Sequence, residues 1–194
     1  MKLLPLFTLG CLLSGSVLAY DSGDIIVRAG VATVDPAGDG ALDGVLDVKS
    51  NSQLGLTLTY MLSEDWGVGV LAATPFKHDI TVAGKTVGST KHLPPTVTAQ
   101  YHFSTGETVH PYVGLGVNYT EFFSEESVLG DLSLDSSFGL AAELGVDFSF
   151  NKNWGANLAL WYIDIDTDAS LDGAKLATVQ IDPWVYNVGI SYRF

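Results

Sequence analysis

Few side chains in this sequence have the type and spacing that chemistry requires, and the four histidines come first. They are His78, His92, His102 and His110. His78 and His92 flank one long segment between two regular stretches, where they either share a metal ion or are solvated loop residues. No serine is tied by a motif to a histidine and an acid, so the sequence predicts no nucleophilic catalytic site. We therefore expect a protein that is not an enzyme and that binds no metal and no cofactor.

Charged residues inside otherwise apolar or small-residue stretches are the second group. They are Arg28, Glu143, Asp147 and Arg193. A charge that leaves bulk water must be paired or hydrogen-bonded. If these side chains face a common interior, there are two interpretations. They form a fully hydrogen-bonded network that plugs the interior, or they relay protons or ions. The elements that position them decide whether they meet.

The N-terminus has the pattern of a secretory signal peptide. Lys2 precedes an apolar run from Leu3 to Leu13, and small residues follow the run and end in Ala19. This order predicts cleavage after Ala19, so residues 1–19 are a signal peptide and residues 20–194 the mature domain. Cys11 lies within the signal, and its removal leaves no thiol or disulfide. The alternative is a lipoprotein that is cleaved before Cys11 and acylated on it. Cleavage there would leave the apolar Leu12 to Leu18 in the mature chain.

The composition is rich in hydrophobic residues and strongly acidic. Hydrophobic residues make up 47% of the chain and the mean hydropathy is +0.27, yet no run after the signal is long enough for a membrane-spanning helix. There are 22 acidic and 9 basic side chains, and the net charge of −13 excludes a nucleic-acid partner. The acids concentrate between the regular stretches, which is typical of solvated loops. Contact with divalent cations or lipopolysaccharide is the other interpretation.

Hydrophobicity in the mature chain alternates with a period of two residues, which predicts β-strands. Ser52 to Leu62 alternates most regularly, with leucines and a tyrosine on one face and small or polar residues on the other. Short turns and long connections follow one another along the chain, as in outer-membrane barrels, and an even number of strands puts both termini on the short-turn, periplasmic side. The eight predicted strands are Asp24 to Thr33, Ser52 to Leu62, Trp66 to Thr74, Thr96 to Phe103, Val113 to Thr120, Leu140 to Phe150, Trp154 to Ile163 and Trp184 to Phe194.

Alternation alone does not say which face points inward, so a soluble ligand-binding barrel must be compared with a membrane barrel. In the membrane barrel the leucine stripe faces lipid, and Arg28, Glu143 and Asp147 face the lumen. Aromatic residues at both ends of the strands favour the membrane, because two girdles suit two bilayer interfaces. The aromatics are Tyr60, Trp66, Tyr101, Phe103, Phe148, Phe150, Trp154, Tyr192 and Phe194 near the short turns, and Tyr119, Phe122, Phe123, Tyr162 and Trp184 near the long connections. We predict an all-β, eight-stranded antiparallel transmembrane β-barrel in the outer membrane of a Gram-negative bacterium, with short periplasmic turns and long extracellular loops.

Several sequence blocks, spread in order over the mature chain, resemble the outer-membrane protein W (OmpW) family. The blocks are Arg28-Ala29-Gly30, Gln53-Leu54-Gly55-Leu56-Thr57, Leu71-Ala72-Ala73-Thr74-Pro75-Phe76, Leu93-Pro94-Pro95-Thr96, Pro111-Tyr112-Val113-Gly114, Trp161-Tyr162-Ile163-Asp164-Ile165-Asp166-Thr167, Asp182-Pro183-Trp184 and Tyr192-Arg193-Phe194. The resemblance implies a barrel that helps small hydrophobic or amphipathic molecules across the outer membrane through a side opening rather than a straight aqueous pore. It also implies that Leu71 and Trp161 pinch the lumen. The period-two alternation turns both residues inward.

An eight-stranded barrel is just wide enough for its own side chains to fill, so no open ion channel is expected. Above the charged residues, Leu71 and Trp161 together with Phe76 and Ile163 would form an apolar vestibule and gate. A lateral opening is predicted where the third and fourth strands approach the outer loops, because prolines there cannot donate to a β-ladder. The alternative is that these prolines only end strands and shield their edges. They are Pro75, Pro94 and Pro95.

The function expected from these features is entry of small hydrophobic or amphipathic solutes, which leave the vestibule sideways into the bilayer. The expected partners are outer-membrane lipid, lipopolysaccharide and the solute, and the barrel is expected to be a monomer. One alternative is a closed structural barrel whose acidic loops serve adhesion, stress tolerance or reception of phages or bacteriocins. Another is a barrel lipase or acyltransferase.

Overall fold

The computed structural model describes residues 20–37, 46–82, 84–103 and 108–194. The predicted signal peptide and part of the first acidic segment therefore lie outside the described residues. No helix in the described part of the chain is long and apolar enough to cross a membrane. The strands within it are β1 (Ile25–Asp35), β2 (Leu46–Val48), β3 (Asn51–Met61), β4 (Trp66–Ala73), β5 (Phe76–Val82), β6 (Lys85–Leu93), β7 (Thr96–His102), β8 (Val109–Ser127), β9 (Leu132–Leu134), β10 (Ser137–Ser149), β11 (Trp154–Ile163), β12 (Asp166–Leu171), β13 (Ala174–Gln180) and β14 (Trp184–Arg193).

Eight of these strands close into an antiparallel barrel, which confirms the predicted fold class. The order around the barrel is β1, β3, β4, β7, β8, β10, β11 and β14, and β14 pairs with β1 to complete the circle. Closure leaves no unpaired sheet edge within a bilayer, where an unsatisfied backbone group would be costly. We call the end with the short connections and both termini the turn end, and the opposite end the hairpin end.

The outer surface of the barrel carries the apolar stripe, as predicted for a membrane protein. Leu54, Leu56 and Leu58 of β3 are 60%, 46% and 43% exposed. Arg28 and Asp147 are instead 1% and 2% exposed and face the lumen. A soluble barrel would bury the leucines and expose the charges, so this arrangement suits a lipid environment outside and a polar interior.

Two aromatic girdles surround the barrel at the predicted heights. At the turn end, Trp66 packs on Tyr101 with ring centroids 5.1 Å apart, and Trp154 packs on Tyr192 at 4.8 Å. At the hairpin end, Tyr162 and Trp184 are 5.1 Å apart. Phe122 departs from the prediction, because it is buried and packs against a histidine on the inner face. The alternation of β8 continues beyond the predicted strand and turns Phe122 inward.

The connections at the hairpin end, which we predicted to be loops, contain six further strands in the described part of the chain. β5 and β6 form a hairpin whose β6 strand pairs with the long β8, and β2 pairs with β5. β12 and β13 form a second hairpin, and β9 pairs with β12. One face of each hairpin is buried, as Ile80 and Val179 illustrate. Their outer faces carry acids, lysines and hydroxyl residues, and this polarity makes the segments resemble solvated loops in the sequence.

A close approach inside the barrel explains one glycine. A Cβ atom added to Gly145 would lie 2.1 Å from Cζ of Tyr112, whose buried ring crosses the β10 backbone at that point. No side chain can occupy that position unless the tyrosine moves. The glycine therefore leaves the space that the tyrosine ring occupies against the barrel wall.

Replacing Gly145 with valine should displace Tyr112 and lower the free energy of unfolding by about 1–3 kcal/mol, the usual cost of overpacking. Ala142→Val is the matched control, because Ala142 lies on the lipid-facing side of the same strand. Urea unfolding of both variants in the same detergent measures the difference. Equal stability of the two variants would contradict the packing argument.

Candidate functional site

The lumen is closed at its centre by a hydrogen-bonded ion pair. Nε of Arg28 donates to Oδ1 of Asp147 at 2.9 Å, and Nη2 donates to Oδ2 at 2.5 Å. The third guanidinium nitrogen, Nη1, donates to Oγ1 of Thr59 at 2.7 Å. This bidentate geometry satisfies a charge pair that is removed from bulk water. Strands β1, β3 and β10 are tied together across the lumen by these contacts.

A chain of hydrogen bonds extends this pair across the rest of the lumen. Thr59 donates to Oε1 of Gln100 at 2.9 Å, and Nε2 of Gln100 donates to Oε2 of Glu143 at 2.7 Å. On the other side, Nδ2 of Asn157 donates to Oδ1 of Asp147 at 2.9 Å. We call Arg28, Asp147, Thr59, Gln100, Glu143 and Asn157 the polar plug. Its members come from β1, β3, β7, β10 and β11. Thr59, Gln100 and Asn157 were not singled out as site residues from the sequence, although the alternation of their strands turns them inward.

Tyr20 seals the turn end of the lumen below the polar plug. Its hydroxyl donates to Oδ2 of Asp147 at 2.9 Å, and its ring contacts His102 and His110 at centroid distances of 5.1 and 5.2 Å. Sequence reasoning treated Tyr20 only as the first residue after the predicted cleavage site. Its partner lies 127 residues away in the chain, and no local pattern indicates such a contact.

Arg193, the fourth charge predicted for the lumen, lies at the rim of the turn end. It forms ion pairs with Asp24 at 2.7 Å and with Asp21 at 3.2 Å, and its guanidinium lies 5.6 Å from the centre of the Tyr20 ring. The structure thus brings Arg28 and Asp147 into direct contact, links Glu143 to them through Gln100 and Thr59, and places Arg193 in a separate cluster beneath them.

An apolar layer lies above the polar plug. Leu71, Trp161, Phe76 and Ile163 are 4% exposed or less and belong to one contiguous hydrophobic cluster. We call these four residues the apolar constriction. Trp161 pairs across the β10–β11 ladder with Glu143, so the constriction rests directly on the plug. Nε1 of Trp161 has no hydrogen-bond partner among the described residues.

The hairpin end holds a cavity of about 50 Å³ above the constriction. The β5–β6 and β12–β13 hairpins, with β2, β8 and β9, line it, and its lining residues are apolar apart from His78, His92, Thr90 and Thr167. His78 and His92 face each other as stacked rings, 4.9 Å apart and inclined by 11°. Phe76 and Phe122 pack against His92 from either side at 5.6 and 5.7 Å. We call this space the vestibule cavity.

Burial controls the charge of the two histidines. Removal from water lowers the pKa of His78, and it lowers the pKa of His92 to about 3. Both rings are therefore neutral at pH 7. In residues 20–37, 46–82, 84–103 and 108–194, no three His, Cys, Asp or Glu side chains are grouped to hold a metal ion. The histidine pair thus has neutral imidazoles in an apolar wall and no third metal ligand from this part of the chain.

The seam between β4 and β7 ends at the level of the apolar constriction. The last pair of the ladder is Leu71 with Thr96, and Pro94 and Pro95 come directly before Thr96. The carbonyl of Pro95 accepts hydrogen bonds from the backbone N–H of Tyr119 and from the side chain of Asn118, so this segment is held toward β8 rather than β4. Pro75, between β4 and β5, is exposed, and the neighbouring Thr74 N–H donates to the carbonyl of Leu54 on β3.

Breaking the central ion pair on one side should destabilise the barrel strongly. In Asp147→Asn the buried Arg28 loses its counter-charge, and we expect the free energy of unfolding to fall by about 3–5 kcal/mol. The control is the double variant Arg28→Met/Asp147→Leu, which removes both charges and should recover much of that loss. Urea unfolding in detergent measures both. A double variant as unstable as the single one would show that the pair itself, and not charge compensation, is needed.

Comparison with known proteins agrees with this architecture. A model of the OmpW family matches residues 21–194. Outer membrane protein W of Escherichia coli K12 is 46% identical over 199 residues, which cover 94% of this chain and 94% of that protein. Outer membrane protein W of Vibrio cholerae is 44% identical over 210 residues, 97% of each chain. The crystal structure of OprG from Pseudomonas aeruginosa superposes with a TM-score of 0.82 at 40% identity and covers 92% of this chain and 99% of that one. The chain therefore belongs to the OmpW family, and it is an outer-membrane β-barrel of a Gram-negative bacterium.

Proposed function

We propose that this barrel passes small hydrophobic or amphipathic molecules from the cell exterior into the outer membrane. The solute enters the vestibule cavity at the hairpin end, which is extracellular when the turn end faces the periplasm. It moves down to the apolar constriction and leaves sideways between β4 and β7. The outer-membrane lipid receives it, and lipopolysaccharide surrounds the extracellular part of the barrel.

The observation that carries this proposal is a contiguous cluster of apolar side chains that reaches from the cavity to the polar plug. Residues of the cavity wall such as Phe122 and Ile181 belong to the same hydrophobic cluster as Leu71 and Trp161. An apolar solute gains free energy by leaving water for contact with such side chains. The ionic plug below offers it no comparable environment, because displacing a buried ion pair is costly.

The end of the β4–β7 ladder supports a lateral route from that point. Beyond Leu71 and Thr96, the carbonyl of Pro95 accepts a hydrogen bond from β8. A proline nitrogen has no hydrogen to donate to β4. Separating the strands there does not break a pair of the β4–β7 ladder, which ends at Leu71 and Thr96. The apolar constriction lies at the same level, so a solute held there is next to the end of this ladder.

A more distant relative supports the class of solute. A Pseudomonas aeruginosa protein named dibenzothiophene metabolism operon protein PahQ is 28% identical over 160 residues, which cover 78% of this chain and 75% of that protein. Its name connects it with the metabolism of an apolar aromatic compound. A molecule of that kind matches the apolar cavity wall and constriction of this barrel.

Replacing Pro94 and Pro95 with alanine should slow the uptake of an apolar tracer several-fold. Each alanine supplies a backbone N–H that can extend the β4–β7 ladder and close the seam. The measurement is the initial rate of radiolabelled naphthalene uptake by Gram-negative cells that lack their own copy and express each variant at equal levels.

Pro36→Ala is the control, because Pro36 follows β1 and lies outside this seam. Unchanged uptake in a folded Pro94→Ala/Pro95→Ala variant would contradict the lateral route. If cells that express the unmodified chain take up no more tracer than cells without it, the proposed transport function is wrong. The barrel is then closed and its role lies in its extracellular surface.

A further inference from the structure

Lysines are concentrated on the β5–β6 hairpin and on the segment that pairs with it, although the chain as a whole is acidic. Lys49, Lys77, Lys85 and Lys91 are four of the nine basic side chains, which stand against 22 acidic ones. All four are exposed at the hairpin end of the barrel. A local patch of positive charge attracts anions that the rest of an acidic surface repels.

Two of these lysines are direct neighbours on the outer face of the hairpin. The ladder pairs Lys77 of β5 with Lys91 of β6, so both side chains project from the same face. Like charges directly opposite each other destabilise a sheet, and an anion bound between them would remove that cost. Two adjacent ammonium groups suit a phosphate group, which carries several acceptor oxygens.

The nearest acid on β5 is balanced by a third lysine. Asp79 is two residues from Lys77 on the same outer face. Lys49 lies opposite Asp79, and its backbone N–H donates to the Asp79 carbonyl at 3.2 Å. The outer face of the hairpin therefore carries three lysines around one aspartate. In the described part of the chain, neither Lys77 nor Lys91 forms an ion pair with a carboxylate.

The lysine pair lies beyond the hydrocarbon, on the side of the wall that faces lipid. On β8, Tyr119 belongs to the girdle at the hairpin end, and its hydroxyl donates to Oε2 of Glu121 at 2.8 Å. Lys91 pairs with Phe123, which is about 13 Å along the strand from Tyr119 and less in height because barrel strands tilt. An aromatic girdle marks the boundary between hydrocarbon and headgroups, so the lysines lie on its headgroup side.

We propose that Lys77 and Lys91 form a binding site for a phosphate group of lipopolysaccharide, the phosphorylated lipid of the outer leaflet. Lys49 adds a third positive charge at the edge of this site. Pro75 and Pro94 are two and three residues from the paired lysines, so the bound lipid lies beside the β4–β7 seam. The inference rests on the orientation that the proposed function assumes, with the hairpin end outside, and not on transport itself.

The test titrates lipid A, the bisphosphorylated anchor of lipopolysaccharide, into phosphatidylcholine nanodiscs that hold the full mature chain. The ¹⁵N resonances of the lysine ammonium groups and of the β5 and β6 amides give an apparent Kd. Parallel titrations use dephosphorylated lipid A, which keeps the sugars and acyl chains, and inorganic phosphate. We expect saturable binding of lipid A and binding at least roughly tenfold weaker in both parallel titrations.

Lys77→Gln/Lys91→Gln keeps the length of both side chains and removes their charges. We expect this variant to bind lipid A roughly 25-fold more weakly, about fivefold for each lysine. Lys152→Gln/Lys175→Gln is the matched control, because it removes the same charge from the turn end and from the other hairpin. The control should keep the Kd of the unmodified chain. If a variant does not fold, the comparison of lipid A with its dephosphorylated form in the unmodified chain still decides the question.

Three results would overturn the inference. They are equal affinity for lipid A with and without its phosphates, equal affinity of the two double variants for lipid A, and binding of inorganic phosphate as tight as that of lipid A. The transport function stands in each of these cases if naphthalene uptake by cells depends on the barrel. A barrel that gives no uptake but binds lipid A through the lysine pair would instead leave the inference standing without the transport function.

Discussion

The buried ion pair between Arg28 and Asp147 is the constraint on which the interior of this barrel depends. An eight-stranded barrel has a lumen that side chains fill, and a charge placed there must have a partner. The bidentate contact supplies that partner, and Thr59, Asn157 and Tyr20 complete the shells of the two charges. The pair thus joins opposite walls and closes the axis. The proposed lateral route follows from this closure, because a solute above the plug has no path along the axis.

Above the plug, polarity changes within one layer of side chains. Trp161 lies directly across the ladder from Glu143, so the apolar constriction and the polar plug are in contact. The barrel therefore has an ionic lower half and an apolar upper half within a single narrow lumen. The two hairpins continue the apolar half beyond the membrane and bury two neutral histidines in it. The same separation explains why burial lowers the pKa of His92 rather than stabilising its charge.

Much of the architecture could be predicted from the sequence because a strand repeats every two residues. The alternation from Leu54 to Leu58 predicts both the strand and its lipid-facing side, and the structure agrees. The same alternation turns Leu71 and Trp161 inward, where they now lie in one cluster. The hairpin strands and the inward side of Phe122 were missed, because acids and hydroxyl residues on the outer faces make these segments resemble loops.

The sequence by itself determined the closed eight-stranded barrel, its orientation toward lipid and the sign of its surface charge, because these follow from local periodicity and composition. Only the tertiary structure decided which polar groups meet. Tyr20 reaches Asp147 across 127 residues, and Arg193 pairs at the rim rather than in the plug. His78 and His92 stack because the β5–β6 hairpin brings them together, and the carbonyl of Lys49 on another segment accepts a hydrogen bond from Nδ1 of His78. Such contacts depend on strand register and closure, and no local pattern encodes them.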